Sequence, residues 1–253
     1  MLKDKEFDLD GAVTQLLHAY SSGIVLEDLT SASCPQSVAQ ARAIQHGLVE
    51  RLGGHGGWKM GKLDAGIEPG CSPISRERIL PSPAQWTFPV SAPLELEVEV
   101  AVSFNRDLTG SAIFSKEEVR ASIAHLHPAL EVVSSRFRQK ANLPALTTNA
   151  DFQSNAGLIL GPGIGDWQSI DLCHLEMELL FDGQRVAQAN DGADQHQMLD
   201  ALTWLANHAR DCGKPLRKDD AILTGARIKP VLVPRGVLVQ ANVRGLGTVE
   251  LRT

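Results

Sequence analysis

Residues 94–104 read LELEVEVAVSF, and no other stretch restricts the fold as much. Strict alternation over a run this long fits an extended strand, whose side chains point to opposite faces with a period of two. Leu94, Leu96, Val98 and Val100 then share one face, and Glu95, Glu97 and Glu99 share the other. Neighbouring carboxylates on that face sit about 7 Å apart, close enough to repel unless water or a cation lies between them. The strand alone leaves two readings open: a solvated face, or a face that binds a divalent metal.

Further strands are predicted at residues 86–90, 129–133, 157–160, 221–223, 231–232, 237–243 and 249–251, with a hairpin in LEMELLFDGQRVAQA turning at Asp182-Gly183. Helices are predicted over residues 11–20, after Pro35 and Ser37, over 116–126 with Ser115 as N-cap, and over 196–212. Strands dominate the middle and end while helices act as covers, so the expected class is α+β: a β-rich, mixed-sheet body with a small N-terminal helical region. The Pro- and Ser-rich stretch CSPISRERILPSPAQ marks the expected boundary, giving a helical region at 1–70 and a β-rich metal-binding body at 71–253.

Bulk properties narrow the partners. A net charge of −6 provides no basic field for a phosphate backbone, so nucleic acid is not expected. No run of eighteen apolar residues occurs, so no membrane span is expected, and the charged start MLKDKEFDLDG lacks the apolar stretch of a signal peptide. The expectation is a cytoplasmic protein. Cys34, Cys71, Cys173 and Cys212 form no CxxC pair and read as reduced thiols. GPGIG at 161–165 lacks the spacing of a dinucleotide loop and reads as a plain turn.

A second E-x-E, Glu176 and Glu178, leads into the Asp-Gly hairpin and shows that alternation by itself does not make a metal site. Glu131 adds a separate observation, because it lies inside the apolar run of PALEVVSSR, where an unpaired carboxylate is costly to bury. Its partner is either an arginine such as Arg136 or a hard cation shared with the other glutamates; three carboxylates suit Mg²⁺ or Mn²⁺. Lys59 stands in GGHGGWKMGKLD, where glycines permit close approach of a ligand. It is read as a surface lysine, or as one that orients a carboxylate or exchanges protons with a depressed pKa, with Lys62 as its competitor.

In order along the chain, AYSSGIVLEDL, GGWKMG, LEVEVAVSFNRDL, PALEVVSSRFR, TNADFQSNAGLILG, LTWLANHARDCGKPL and DDAILTGA resemble the fumarylacetoacetate hydrolase superfamily, in its branch of 2-keto-4-pentenoate hydratases and 4-oxalocrotonate decarboxylases. The resemblance implies that Glu97, Glu99 and Glu131 ligate Mg²⁺ or Mn²⁺, that Lys59 contacts substrate and assists proton transfer, and that Ser154 binds substrate. It also implies a homo-oligomer acting on a small 2-oxo acid through a metal-stabilised enolate, as a hydratase. Decarboxylation, acylpyruvate C–C hydrolysis and a non-catalytic binding homologue are the competing readings. The family's A-D-N-A-S reads ADFQS here, with Phe152 at the asparagine position, and an acid expected downstream of the lysine is replaced around Ile74. Arg76 is the candidate carboxylate clamp in its place.

Overall fold

The computed structural model describes residues 7–61, 69–90 and 92–253; Lys62 lies outside them. The chain opens with α1 (Leu9–Ser22) and α2 (Val38–Arg51), followed by β1 (His55–Met60), β2 (Cys71–Ser75), β3 (Ile79–Pro81) and β4 (Ala84–Gln85). β5 (Glu95–Phe104), α3 (Lys116–Ser122), β6 (Ile123–Val133), α4 (Ala145–Ala150) and β7 (Asn155–Leu160) form the middle. The hairpin β8 (Met177–Phe181) and β9 (Gln184–Ala189), α5 (Gln195–Asp211), β10 (Ala221–Leu223), β11 (Ile228–Leu232), β12 (Leu238–Val243) and β13 (Gly247–Arg252) complete the fold. This is the expected α+β class with mixed sheets.

The larger sheet runs β2-β1-β10-β5-β6-β7-β3, with β11 pairing β5 beside β10. Its first and last strands, β2 and β3, are separated in sequence only by the turn Arg76–Arg78, so the sheet must curl until its ends approach. Contact confirms the curl: Ile79 of β3 lies within van der Waals reach of Gly57 on β1. Inside the roll, Ile74, Ala101, Ala129, Leu158, Ala221 and Leu223 form a separate cluster, three of them alanines. On the outer face Leu96, Val98, Val100, Val102, Leu130 and Val132 pack against the second sheet, β4-β13-β12-β8-β9, and against Leu202 and Leu205 of α5.

Several elements depart from the sequence reading. β1 was not predicted and lies at 55–60, yet it pairs with both β10 and β2, so the sheet begins before residue 71. Residues 86–90 form no strand; Trp86 and Phe88 instead pack edge-to-face in a loop. α3 carries the expected Ser115 N-cap, closed into a capping box by Glu118, but stops at Ser122, where the long β6 takes over the apolar residues assigned to the helix. The helical region does not stand apart either, since α1 and α2 share a buried cluster with Phe137, Ala150 and Phe152 of the body.

Candidate metal centre

The site forms where two acidic strands meet. β5 and β6 run antiparallel with Glu97 directly opposite Glu131 and Glu99 opposite Ala129. The alternation that sends Leu96, Val98 and Val100 to the outer core turns Glu97, Glu99 and Glu131 into the roll. Each of the three offers a carboxylate oxygen within 4.8 Å of the others. Glu131 is fully buried and Glu99 is 2 % exposed, so the solvated-face reading of this strand fails. Glu95 is half-buried, sits opposite Val133 and is not part of the cluster. Like charges directly opposite in a sheet are destabilising, more so away from water. This arrangement therefore needs protons or a cation.

Lys59 enters from β1, opposite Leu223, whose side chain belongs to the interior cluster. Its Nζ donates to Glu131 Oε1 at 2.5 Å, and Asn155 Nδ2 donates to the same oxygen at 3.0 Å. Glu131 Oε2 is buried and has no donor. Glu99 Oε2 accepts from the Gly225 N–H at 2.8 Å, at a φ of 106° that suits glycine. Burial pushes the Glu97 carboxyl up to about 7, with Glu131 adding to the rise and Lys59 opposing it. Burial, then Glu131 and Glu97, also raise Glu99 well above the usual carboxylate range. Burial alone would depress Lys59, but the charge and hydrogen bond of Glu131, reinforced by Glu99 and Glu97, outweigh it and raise the pKa. The depressed-lysine expectation is thus reversed: Lys59 stands as an ammonium. Three crowded carboxylates, one ammonium and a buried acceptor without a donor fit a hard divalent cation.

Beside this centre lies an unusual turn. Phe152, Gln153 and Ser154 have φ of 51°, 53° and 67°, three successive non-glycine residues in the left-handed region. Such residues cost on the order of 1–3 kcal/mol each and persist only where surroundings enforce them. Arg136 does so: it donates to the Asp151 carboxylate and carbonyl on one side of the turn and, through Nη1, to the Asn155 carbonyl at 2.8 Å on the other. Ser72 Oγ, on the residue opposite Lys59, donates to the Phe152 carbonyl at 3.2 Å. Phe152 points into the helical cluster, edge-on to Tyr20. Ser154 Oγ is buried without a partner.

Arg136, weighed as a partner for Glu131, is thus committed to Asp151. Arg76 is not brought to the glutamates. It follows β2 at the far end of β1, about 13 Å along the strand from Lys59, and its exposed guanidinium binds the His55 carbonyl at 2.8 Å and approaches Asp220. The second E-x-E behaves as a control should: Glu176 and Glu178 pair with Arg244, Arg185 and Asn242 on the outer side of the smaller sheet. Asn155 and Gly225 were missed in the sequence, where nothing marks either as a donor to a residue 24 or 126 positions away.

Comparison with known proteins places the chain in a family. The profile of the fumarylacetoacetate (FAA) hydrolase C-terminal family matches residues 67–253. The chain is 34 % identical over 156 residues to the 2-keto-4-pentenoate hydratase of Burkholderia vietnamiensis (strain G4 / LMG 22486), covering 62 % of this chain and 59 % of that protein. It is 29 % identical over 161 residues to a 4-oxalocrotonate decarboxylase of Pseudomonas sp, covering 62 % of this chain and 60 % of the relative. The matched stretch therefore spans less than two thirds of these relatives. A solved structure, 4-oxalocrotonate decarboxylase from Pseudomonas putida G7 complexed with magnesium and adipate, superposes with TM-score 0.79 over 98 % of this chain and 99 % of that one at 21 % identity, which establishes the shared fold. With the profile covering most of the chain, the protein belongs to the fumarylacetoacetate hydrolase C-terminal family.

Proposed function

We propose that the chain is a divalent-metal-dependent lyase of the 2-keto-4-pentenoate hydratase kind, acting on a small 2-oxo or 2-hydroxydienoic acid, with Mg²⁺ or Mn²⁺ held by Glu97, Glu99 and Glu131. The observation that carries this reading is the convergence of three inward carboxylates within 4.8 Å. A divalent cation bound there supplies electrophilic stabilisation for negative charge growing on a substrate oxygen. The Glu131 carboxylate, which accepts from Lys59 Nζ at 2.5 Å, favours the ammonium form, so Lys59 is placed to act as an acid and as a counter-charge for the substrate carboxylate. Ser154 Oγ, buried and unpartnered, is available to hydrogen-bond and orient the substrate. Ala101, Ala129 and Leu223 line the interior below the carboxylates and limit water there.

The same site would serve decarboxylation of 4-oxalocrotonate, a reading supported by the similarity to a relative of that name. Purified protein with Mg²⁺ or Mn²⁺ is offered 2-hydroxypenta-2,4-dienoate, 4-oxalocrotonate and acetylpyruvate in turn. Loss of ultraviolet absorbance with the first, abolished by Glu131→Ala, is the expected outcome; loss with the second or third reassigns the reaction to decarboxylation or C–C hydrolysis. No turnover with any of them, together with retained metal binding, selects the binding homologue.

A cytoplasmic location belongs to the same reading, supported by cysteines spaced too widely in the sequence for a CxxC pair; among the described residues no helix is long and apolar enough to cross a membrane. Homo-oligomer formation is part of the proposal too, and light scattering on the purified chain measures it.

A further inference from the structure

The two oxygens of Glu131 are treated differently. Oε1 accepts two hydrogen bonds, from Lys59 and from Asn155, while Oε2 is equally buried and accepts none. Asn155 is 1 % exposed, and its backbone is fixed at the end of the left-handed turn by the bond from Arg136. We propose that Asn155 is a metal-selectivity residue: with Oε1 occupied, Glu131 can offer the cation only Oε2, and the site is biased toward a small six-coordinate ion.

The inference rests on the metal reading above and adds a coordination mode to it. Calcium accepts six to eight oxygens and tolerates bidentate carboxylates, whereas magnesium demands near-octahedral geometry with single oxygens. Glu97, Glu99 and Glu131 giving one oxygen each would leave a six-coordinate ion room for water and substrate. A bidentate Glu131 would add a ligand and enlarge the shell, which favours the larger ion. Lys59 cannot enforce the restriction alone, because its ammonium sits on a flexible stem and is the group that meets substrate. The Asn155 amide is held in place instead, by its backbone and by the Gly157 carbonyl, which Nδ2 also reaches at 3.4 Å.

Titration calorimetry with MnCl₂, MgCl₂ and CaCl₂ on the full chain, on Asn155→Ala and on Asn155→Ser tests this, with thermal melts identifying folded variants; the serine variant is the milder change should alanine prevent folding. Outer hydrogen bonds to metal ligands typically shift affinity by about 10–100-fold, and here the shift should differ between ions. The wild type is expected to prefer Mn²⁺ and Mg²⁺ over Ca²⁺, and the Ca²⁺ to Mn²⁺ ratio of Kd values is expected to narrow about tenfold in the variants. An unchanged ratio in a folded variant that still binds Mn²⁺, or equal weakening for all three ions, overturns the proposal. Silence of the wild type toward every ion refutes the metal reading itself, a result distinct from either.

Discussion

Glu97 carries the clearest consequence at the level of single residues. Its carboxyl is pushed up to about 7 from an ordinary 4.5 by burial, with the Glu131 carboxylate adding to the rise. Because the folded-state pKa is raised, the group's contribution to stability is fully present below about 4.5 and is lost as pH rises through about 7. Glu97→Gln imitates the protonated form at every pH. In metal-free protein the variant should therefore melt above wild type at pH 8, with the gap closing toward pH 5; a gap independent of pH would contradict the shift. Protons and cations also compete for the same oxygens, so Mn²⁺ affinity is expected to weaken as calorimetry is moved down through pH 7. Glu97 and Glu99 stood out in the sequence by their alternation and Glu131 by lying inside an apolar run, but residue patterns left the solvated face and an arginine partner open, and only the family resemblance implied that the three act together. Asn155 and Gly225 were not, because their donor roles arise from chain geometry: a register shift between β6 and β7 beside Asn155, and a backbone N–H that any residue type carries.

Among the elements, the left-handed turn between α4 and β7 depends most on others. Arg136 holds it from both ends, and its guanidinium lies over the Tyr20 ring, tying the turn to α1. Arg136→Met would strand a buried Asp151 carboxylate, and removal of one partner from such a pair costs about 3–5 kcal/mol. Urea denaturation should show a loss of that order together with weaker Mn²⁺ binding, since Asn155 loses its seat. A change below about 1 kcal/mol, the range of an exposed pair, would show that the turn holds itself. Alternation and caps made β5, the hairpin β8–β9, α2 and α5 readable. Glycines hid β1, Pro73 hid β2, and aromatic content suggested a strand at 86–90 where Trp86 and Phe88 pack on each other in a loop. The helical pattern around α3 ran four residues too far because β6 begins on the same apolar residues.

For the molecule as a whole, the site depends on how tightly the larger sheet closes. A Cβ at Gly57 would stand 2.2 Å from the Ala221 carbonyl oxygen on β10 and 3.2 Å from Ile79 on β3. Gly57→Ala should therefore separate β1, and Lys59 with it, from the rest of the roll; a fall in melting temperature and in Mn²⁺ binding is expected, and a variant matching wild type in both would mean the roll has room to relax. Class and cover helices could be read from residue patterns, but the curl could not, because it depends on strands at opposite ends of the sheet being joined by a three-residue turn. That closure places an ammonium from β1 against carboxylates from β5 and β6. The most direct test is an anomalous difference map from crystals grown with Mn²⁺. One peak per chain within about 2.0–2.3 Å of an oxygen from each of Glu97, Glu99 and Glu131 is the expected result; no peak there, with the three carboxylates turned away from one another, would contradict it.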